Sequence, residues 1–265
     1  MKSVKDLVTP YNVNQLNKED YEELKIQWYN DSIGDLDQED GIDCPTCKNK
    51  GFIQYLKDGY AYTKHCDCMK RRKTILRAKN SGLGEYIEKR SKDYKVTSDW
   101  QKRNFDLMVE YCQKESENWF AALGQSGSGK TLICSIIANH LLFNLGKNVT
   151  YITWTDFISR LKRDMMSDSS NEVSKYLYEI KNVEILFIDE LLKKYNETDL
   201  KYIIEIINYR YTNNLKTIIT SERSINELLD IDEATFGRMI EKCDKYVIDI
   251  PKDRSKNYRL RGLFK

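Results

Sequence analysis

Proline is scarce: the chain has 3 in 265 residues, while 40% of its residues are hydrophobic, 32% are charged and 18 are tyrosine. That balance excludes collagen-like, mucin-like and wholly disordered chains. At roughly 150 residues per domain, the length allows one large domain or two modest ones. Long apolar runs are missing too. No stretch approaches the roughly 20 apolar residues of a membrane-spanning helix, and the opening Met1-Lys-Ser-Val-Lys5 is followed by no signal-peptide core. The expectation is a cytoplasmic protein with no membrane partner. An excess of either charge is also lacking, since 43 Lys+Arg against 41 Asp+Glu leave +2, so the total says nothing about nucleic acid.

The placement of charge says more. Residues 1–43 hold 4 lysines and 11 acids, whereas residues 44–95 hold 14 Lys/Arg and 5 acids. An acidic arm before a basic segment fits two partners, a protein and a polyanion; two solvated faces fit it equally.

Four of the 7 cysteines fall within 25 residues: Cys44, Cys47, Cys66 and Cys68. In a cytosolic protein such clustering points to a metal rather than to disulfides. The spacing is C-x2-C, then C-x-C, and the Asp58-Gly59 pair between them signals a hairpin. A knuckle, a hairpin and a second pair would bring four thiolates around tetrahedral Zn²⁺. His65 is a fifth candidate, and four cysteines are the preferred set. Cys112, Cys134 and Cys243 lie in apolar helical patterns and read as core thiols. Ahead of the cluster, a helix capped by Asn17 carries Tyr21, Leu24 and Trp28 on one face. Behind it come a basic helix from Met69 and a hinge at Ser81, Gly82 and Gly84.

Gly124, Gln125, Ser126, Gly127, Ser128, Gly129, Lys130 and Thr131 fit the phosphate-binding pattern G-x-x-x-x-G-K-[ST]. An apolar strand at Trp119–Leu123 precedes them and a helix from Leu132 follows, so backbone N–H groups can wrap phosphates at a helix N-terminus. Lys130 would meet the β- and γ-phosphates, and the Thr131 hydroxyl would ligate Mg²⁺. A second strand, Val183–Ile188, delivers Asp189 as the other Mg²⁺ residue and Glu190 as the group that polarises attacking water. The pattern is that of an NTP site, with hydrolysis expected rather than binding alone. Further strands are expected at Asn148–Trp154, Thr217–Thr220 and Lys245–Ile250, alternating with helices. The fold class is α/β, a P-loop NTPase with a parallel five-stranded sheet flanked by helices, preceded by a small zinc-binding α+β domain. Phe157–Met166 and a second helix through Val173, Tyr176, Leu177 and Ile180 are split by Ser167–Asn171. In the helix from Asp232 to Cys243, Phe236, Met239, Ile240 and Cys243 form the apolar stripe, and Arg238 points nearly opposite.

Taken together, the Cys-Pro-Thr-Cys and Cys-Asp-Cys cluster, Gly124–Thr131, Phe187–Glu190, Tyr209–Tyr211, Thr217–Ser221 and Gly237-Arg238 resemble the bacterial and phage AAA+ helicase loaders of the DnaC/DnaI type. The resemblance implies a domain over residues 1–80 that grips the hexameric replicative helicase. After a linker at 81–95, it implies an AAA+ domain over 96–265, with little or no lid, that binds ATP and single-stranded DNA and self-associates. Arg238 then becomes the arginine finger, and Arg160, Lys162 and Arg163 could meet phosphates, although they could equally form an ordinary wet face. Two features depart from the pattern. Thr220-Ser221-Glu222 stands where many AAA+ proteins carry a sensor asparagine, and only 15 residues follow Ile250, so Arg259 or Arg261 would have to replace a lid arginine. The competing readings are a transposition-helper ATPase of the IstB type and a zinc adaptor that binds nucleotide without hydrolysing it.

Overall fold

The computed structural model describes residues 17–166, 170–260 and 262. The chain divides into two compact units, Met1–Leu76 and Arg77–Lys265. No helix among the described residues is long and apolar enough to cross a membrane.

In the first unit, helix α1 (Lys18–Asp31) starts where the Asn17 side chain accepts from the Asp20 N–H at 2.8 Å. Its inward residue is Ile26, with Leu24 and Trp28 half-buried and Tyr21 exposed. The expected Tyr21–Leu24–Trp28 face is therefore rotated: the helix packs on a hairpin through its Ile26 side, and Asn30 bridges to the Gln54 backbone. A short helix α2 (Leu36–Asp40) follows. The hairpin is β1 (Phe52–Lys57) and β2 (Tyr60–His65), turned by Asp58 and Gly59, both with positive φ. Helix α3 (Cys68–Asn80) follows, with the division between units falling near its end.

The second unit is layered. Strands β3 (Phe120–Gly124), β4 (Val149–Thr153), β5 (Ile185–Asp189), β6 (Lys216–Thr220) and β7 (Val247–Ile250) form one parallel sheet in the order β4–β5–β6–β3–β7. The alternation along each strand sorts the core. Ala121, Leu123, Leu186 and Ile188 face helices α6 (Trp154–Met166), α7 (Ser170–Asn182), α8 (Glu197–Thr212) and α10 (Glu233–Cys243), the last entered through a short α9 (Ile225–Leu229). Phe120, Ala122, Ile185 and Phe187 face α4 (Asp99–Gln113) and α5 (Lys130–Asn139). The three inner strands β3, β5 and β6 are buried on both faces, as parallel sheets require, while the edge strands β4 and β7 are partly open.

Several boundaries differ from expectation. Trp154 opens α6 instead of closing a strand, because its indole is buried and donates to the Lys194 carbonyl at 3.1 Å. The helix after the P-loop ends at Asn139 and passes into a π-helical turn over His140–Asn144. Of the expected break at Ser167–Asn171, residues 167–169 lie outside the described residues, and α7 begins at Ser170. The stretch 81–95, expected as a linker, holds two 3-10 turns and buries Leu83 and Tyr94 in the core of this unit. Cys134 and Cys243 are core thiols, while Cys112 is half-buried.

Candidate functional site

The sheet order places β3 between β6 and β7, so the loop leaving β3 emerges at the C-terminal edge where the strands diverge. Gly124 ends β3 at φ +91°, and a Cβ there would meet the Ile250 carbonyl oxygen at 2.0 Å, so no other residue fits. Gly129 caps α5, also at φ +91°, with the Tyr94 ring against it. The glycines thus let the loop wrap tightly and hand its N–H groups to the start of α5.

Lys130 is buried, and its Nζ donates to the carbonyls of Gly124 at 2.9 Å and Gln125 at 2.6 Å. Burial pushes this ammonium below its ordinary value, opposed by the Glu222 and Asp189 carboxylates. The loop is therefore held by the same amine that a phosphate would recruit.

Asp189, the last residue of β5, is 4% exposed and accepts three hydroxyls. Thr131 Oγ1 donates to its Oδ1 at 2.9 Å, Tyr151 OH donates to its Oδ2 at 2.9 Å, and Thr220 Oγ1 also donates to Oδ1. Those donors come from β4 and β6, the two strands that flank β5, and from α5, the helix that follows the phosphate loop. Burial, with the Asp189 carboxylate alongside, pushes the Tyr151 phenol up, so it remains a donor. Thr131 and Asp189 bring two hard oxygens within 2.9 Å, a pairing that fits a shared Mg²⁺. Glu190 follows at φ +56°; its N–H donates to Thr220 Oγ1 and its carboxylate pairs with Lys193 at 2.6 Å.

The structure thus gathers Lys130, Thr131 and Asp189 and sets Glu190 beside them. Arg238 stands apart. It is exposed on α10, donates to Asn208 Oδ1 at 2.6 Å and lies over the Tyr211 ring at 5.7 Å. Lys162 is tied to Asp199 at 2.7 Å, and the Arg160 guanidinium sits 3.7 Å from the Tyr176 ring centre, so these two are less open than the sequence implied. Arg160 and Arg163 line a cleft of about 400 Å³ with Thr153, Asp156 and Tyr176.

Arg259, offered by the sequence as a stand-in for a lid arginine, lies in a second cleft of about 280 Å³ lined by Gly127, Ser128, Gly129 and Thr131, together with Tyr86, Tyr94 and Tyr258, which the sequence reading did not single out. The Tyr258 N–H donates to the Gly127 carbonyl at 2.9 Å, which brings Arg259 to the phosphate loop. Arg261 lies outside the described residues. Tyr151 and Thr220 carry no local motif; only strand pairing brings them to Asp189.

In the first unit Cys44, Cys47, Cys66 and Cys68 place four sulfurs within 4.8 Å of one another, and no disulfide links them. Cys44 and Cys66 are 3.8 Å apart, and Cys47 and Cys68 are 3.5 Å apart. Tetrahedral thiolates about 2.3 Å from Zn²⁺ would sit about 3.8 Å from each other, so the donor set fits that ion. The backbone N–H of Cys47 holds the Cys44 thiol down at about 6, while burial pushes Cys68 up to about 12. Arg72 is buried beside the cluster and donates to the Ile42 carbonyl and Asn49 Oδ1. His65 is outside the cluster, its ring tilted 33° against that of Phe52 with centroids 4.7 Å apart.

The sequence profile of the IstB-like ATP binding proteins matches residues 63–260. The Bacillus subtilis (strain 168) protein YqaM is 33% identical over 215 residues, covering 75% of this chain and 67% of its own. The replicative helicase loader DnaC of Buchnera aphidicola (subsp. Acyrthosiphon pisum) is 29% identical over 131 residues, 48% of this chain and 52% of its own. The crystal structure of the DnaC helicase loader superimposes with a TM-score of 0.53 at 22% identity, over 63% of this chain and 99% of that one, which shows a shared fold. A P-loop closed by Asp189 on a five-stranded parallel sheet is the AAA+ architecture, and the chain belongs to the IstB-like ATP-binding protein family, to which it joins DnaC-type relatives.

Proposed function

We propose that this protein is an ATP-dependent loader of a hexameric replicative DNA helicase onto single-stranded DNA. The observation that carries the reading is the conjunction, in one chain, of a phosphate-loop pattern whose Thr131 meets Asp189 with a four-cysteine cluster in the other unit. Relatives named as replicative helicase loaders give that conjunction its partner. On this reading the four cysteines hold Zn²⁺ and build the surface that grips the helicase, with residues 1–80 as the gripping part and 96–265 as the ATPase.

Within the ATPase, the loop N–H groups and Lys130 bind phosphate, Lys130 exchanging two backbone carbonyls for phosphate oxygens. Thr131 and Asp189 hold Mg²⁺, which neutralises charge on the phosphates. Glu190 leaves Lys193 to accept a proton from the attacking water. Arg238, exposed and not among the residues lining the phosphate-loop cleft, serves a neighbouring subunit, and Arg160 with Arg163 meets single-stranded DNA. A transposition-helper ATPase of the IstB type is the second reading, favoured by the profile that matches residues 63–260.

The test is co-purification of the full chain with a hexameric replicative helicase, with and without ATP, followed by helicase transfer to single-stranded DNA. Capture through the cysteine unit and ATP-dependent transfer are expected. Capture of a transposase instead of a helicase would select the second reading.

A further inference from the structure

The hairpin of the first unit carries more aromatic surface than its small core uses. Cross-strand pairing sets Tyr55 opposite Tyr62, Lys57 opposite Tyr60 and Ile53 opposite Lys64, so these six side chains share one face. Ile53 packs on the cysteine cluster, but the three tyrosines belong to no core cluster and are 39%, 62% and 45% exposed at 55, 60 and 62. The rings of Tyr55 and Tyr62 are stacked, centroids 5.9 Å apart and 27° between planes. Cations sit over them: Lys64 Nζ lies 5.5 Å from the Tyr55 ring and Lys18 Nζ lies 5.4 Å from the Tyr60 ring.

We infer that this hairpin face binds single-stranded nucleic acid, as a site separate from the ATPase unit. Stacking on exposed rings combined with lysines for phosphate is the chemistry that holds unpaired bases without regard to sequence. Tyr60 and Tyr62 are two residues apart on one strand, about 7 Å, which leaves room for one base each. The charge agrees. Residues 44–76 hold 8 Lys/Arg against 2 acids, Asp58 and Asp67, whereas the acids of the unit concentrate on α1 and α2. A protein-docking centre shares the tyrosines but is depleted in lysine, so the lysines are what distinguish this face. This face carries three tyrosines and two lysines, with Ile53 as its single aliphatic residue.

The test measures binding of a fluorescein-labelled oligothymidylate to the full chain by anisotropy, without nucleotide. Tyr60→Ala/Tyr62→Ala is compared with Tyr60→Phe/Tyr62→Phe, Lys57→Gln/Lys64→Gln and Arg160→Ala/Arg163→Ala, each checked for unchanged metal content and circular dichroism. The alanine pair should weaken binding on the order of tenfold or more, and the phenylalanine pair should restore it, because stacking needs the ring and not the hydroxyl. The lysine pair should flatten the salt dependence by about 1.4 in log–log slope, two phosphates at about 0.7 each. Loss with the tyrosine pair and none with the arginine pair would support this site while removing DNA from the α6 cleft. Wild-type affinity in the alanine pair would overturn the inference. So would a defect confined to helicase capture, which would make the face a protein-docking surface.

Discussion

Tyr151→Phe removes one oxygen and leaves the ring, which packs edge-on to Phe187 at 5.0 Å and against Tyr86 at 6.1 Å. What is lost is the hydrogen bond to Asp189 Oδ2, the donor that holds the oxygen Thr131 and Thr220 do not. Asp189 is 4% exposed, so water cannot readily take the place of the phenol. A hydrogen bond to a charged group contributes about 1.5–3 kcal/mol. For a unit of this size each kcal/mol moves the midpoint roughly 2–4 °C, so the ATPase unit should melt about 3–12 °C lower without nucleotide. Mg²⁺ held by Asp189 and Thr131 would supply the missing compensation, and saturating Mg²⁺-ATP should therefore shrink the difference. The assay is thermal unfolding of wild type and variant, each with and without Mg²⁺-ATP. An unchanged midpoint without nucleotide, or an equal drop in both conditions, would refute the reasoning.

Glu190→Gln should retain ATP binding, since its carboxylate touches Lys193 and not the phosphate loop, while single-turnover hydrolysis falls about 10²- to 10⁴-fold; equal turnover would remove Glu190 from the chemistry. Elemental analysis of protein purified without chelator should find one zinc per chain. His65→Ala should keep that zinc, and Arg72→Met should release it faster to a chelator, because four thiolates and Zn²⁺ leave a net negative charge beside this buried guanidinium. Arg238→Ala should lower the ATPase of the assembled protein without weakening ATP binding. Mixing it with Lys130→Ala should restore part of the activity, and no rescue at any ratio would place Arg238 outside the reaction.

Much of this protein is written locally. A phosphate loop is built from consecutive backbone N–H groups, so Gly124 to Thr131 had to appear as one contiguous pattern, although the atoms that crowd Gly124, Gly127 and Gly129 belong to Ile250, Asn257 and Tyr94, far away along the chain. The Asp58-Gly59 turn likewise follows from two φ preferences, and it alone decides that the Cys44/Cys47 and Cys66/Cys68 pairs return to one another. The choice of cysteines over His65 was already a three-dimensional matter. An exposed residue at a strand end can turn to the cluster or to Phe52, and only the packing selects.

The surroundings of Asp189 could not be read the same way. Its donors Thr131, Tyr151 and Thr220 lie 58, 38 and 31 residues away along the chain. The parallel sheet sets Thr153 beside Asp189 and Ile219 beside Ile188, which carries those hydroxyls to a single carboxylate. The burial of Leu83 and Tyr94, the approach of Arg259 to Gly127, and the occupation of Lys162 by Asp199 have the same origin. Spacing and periodicity determine which strands and helices form and which backbone can cradle a phosphate, because those depend on dihedral angles and neighbouring residues. Strand order is set by which buried faces pack best together, so the partners of Asp189 were decided only when the chain folded.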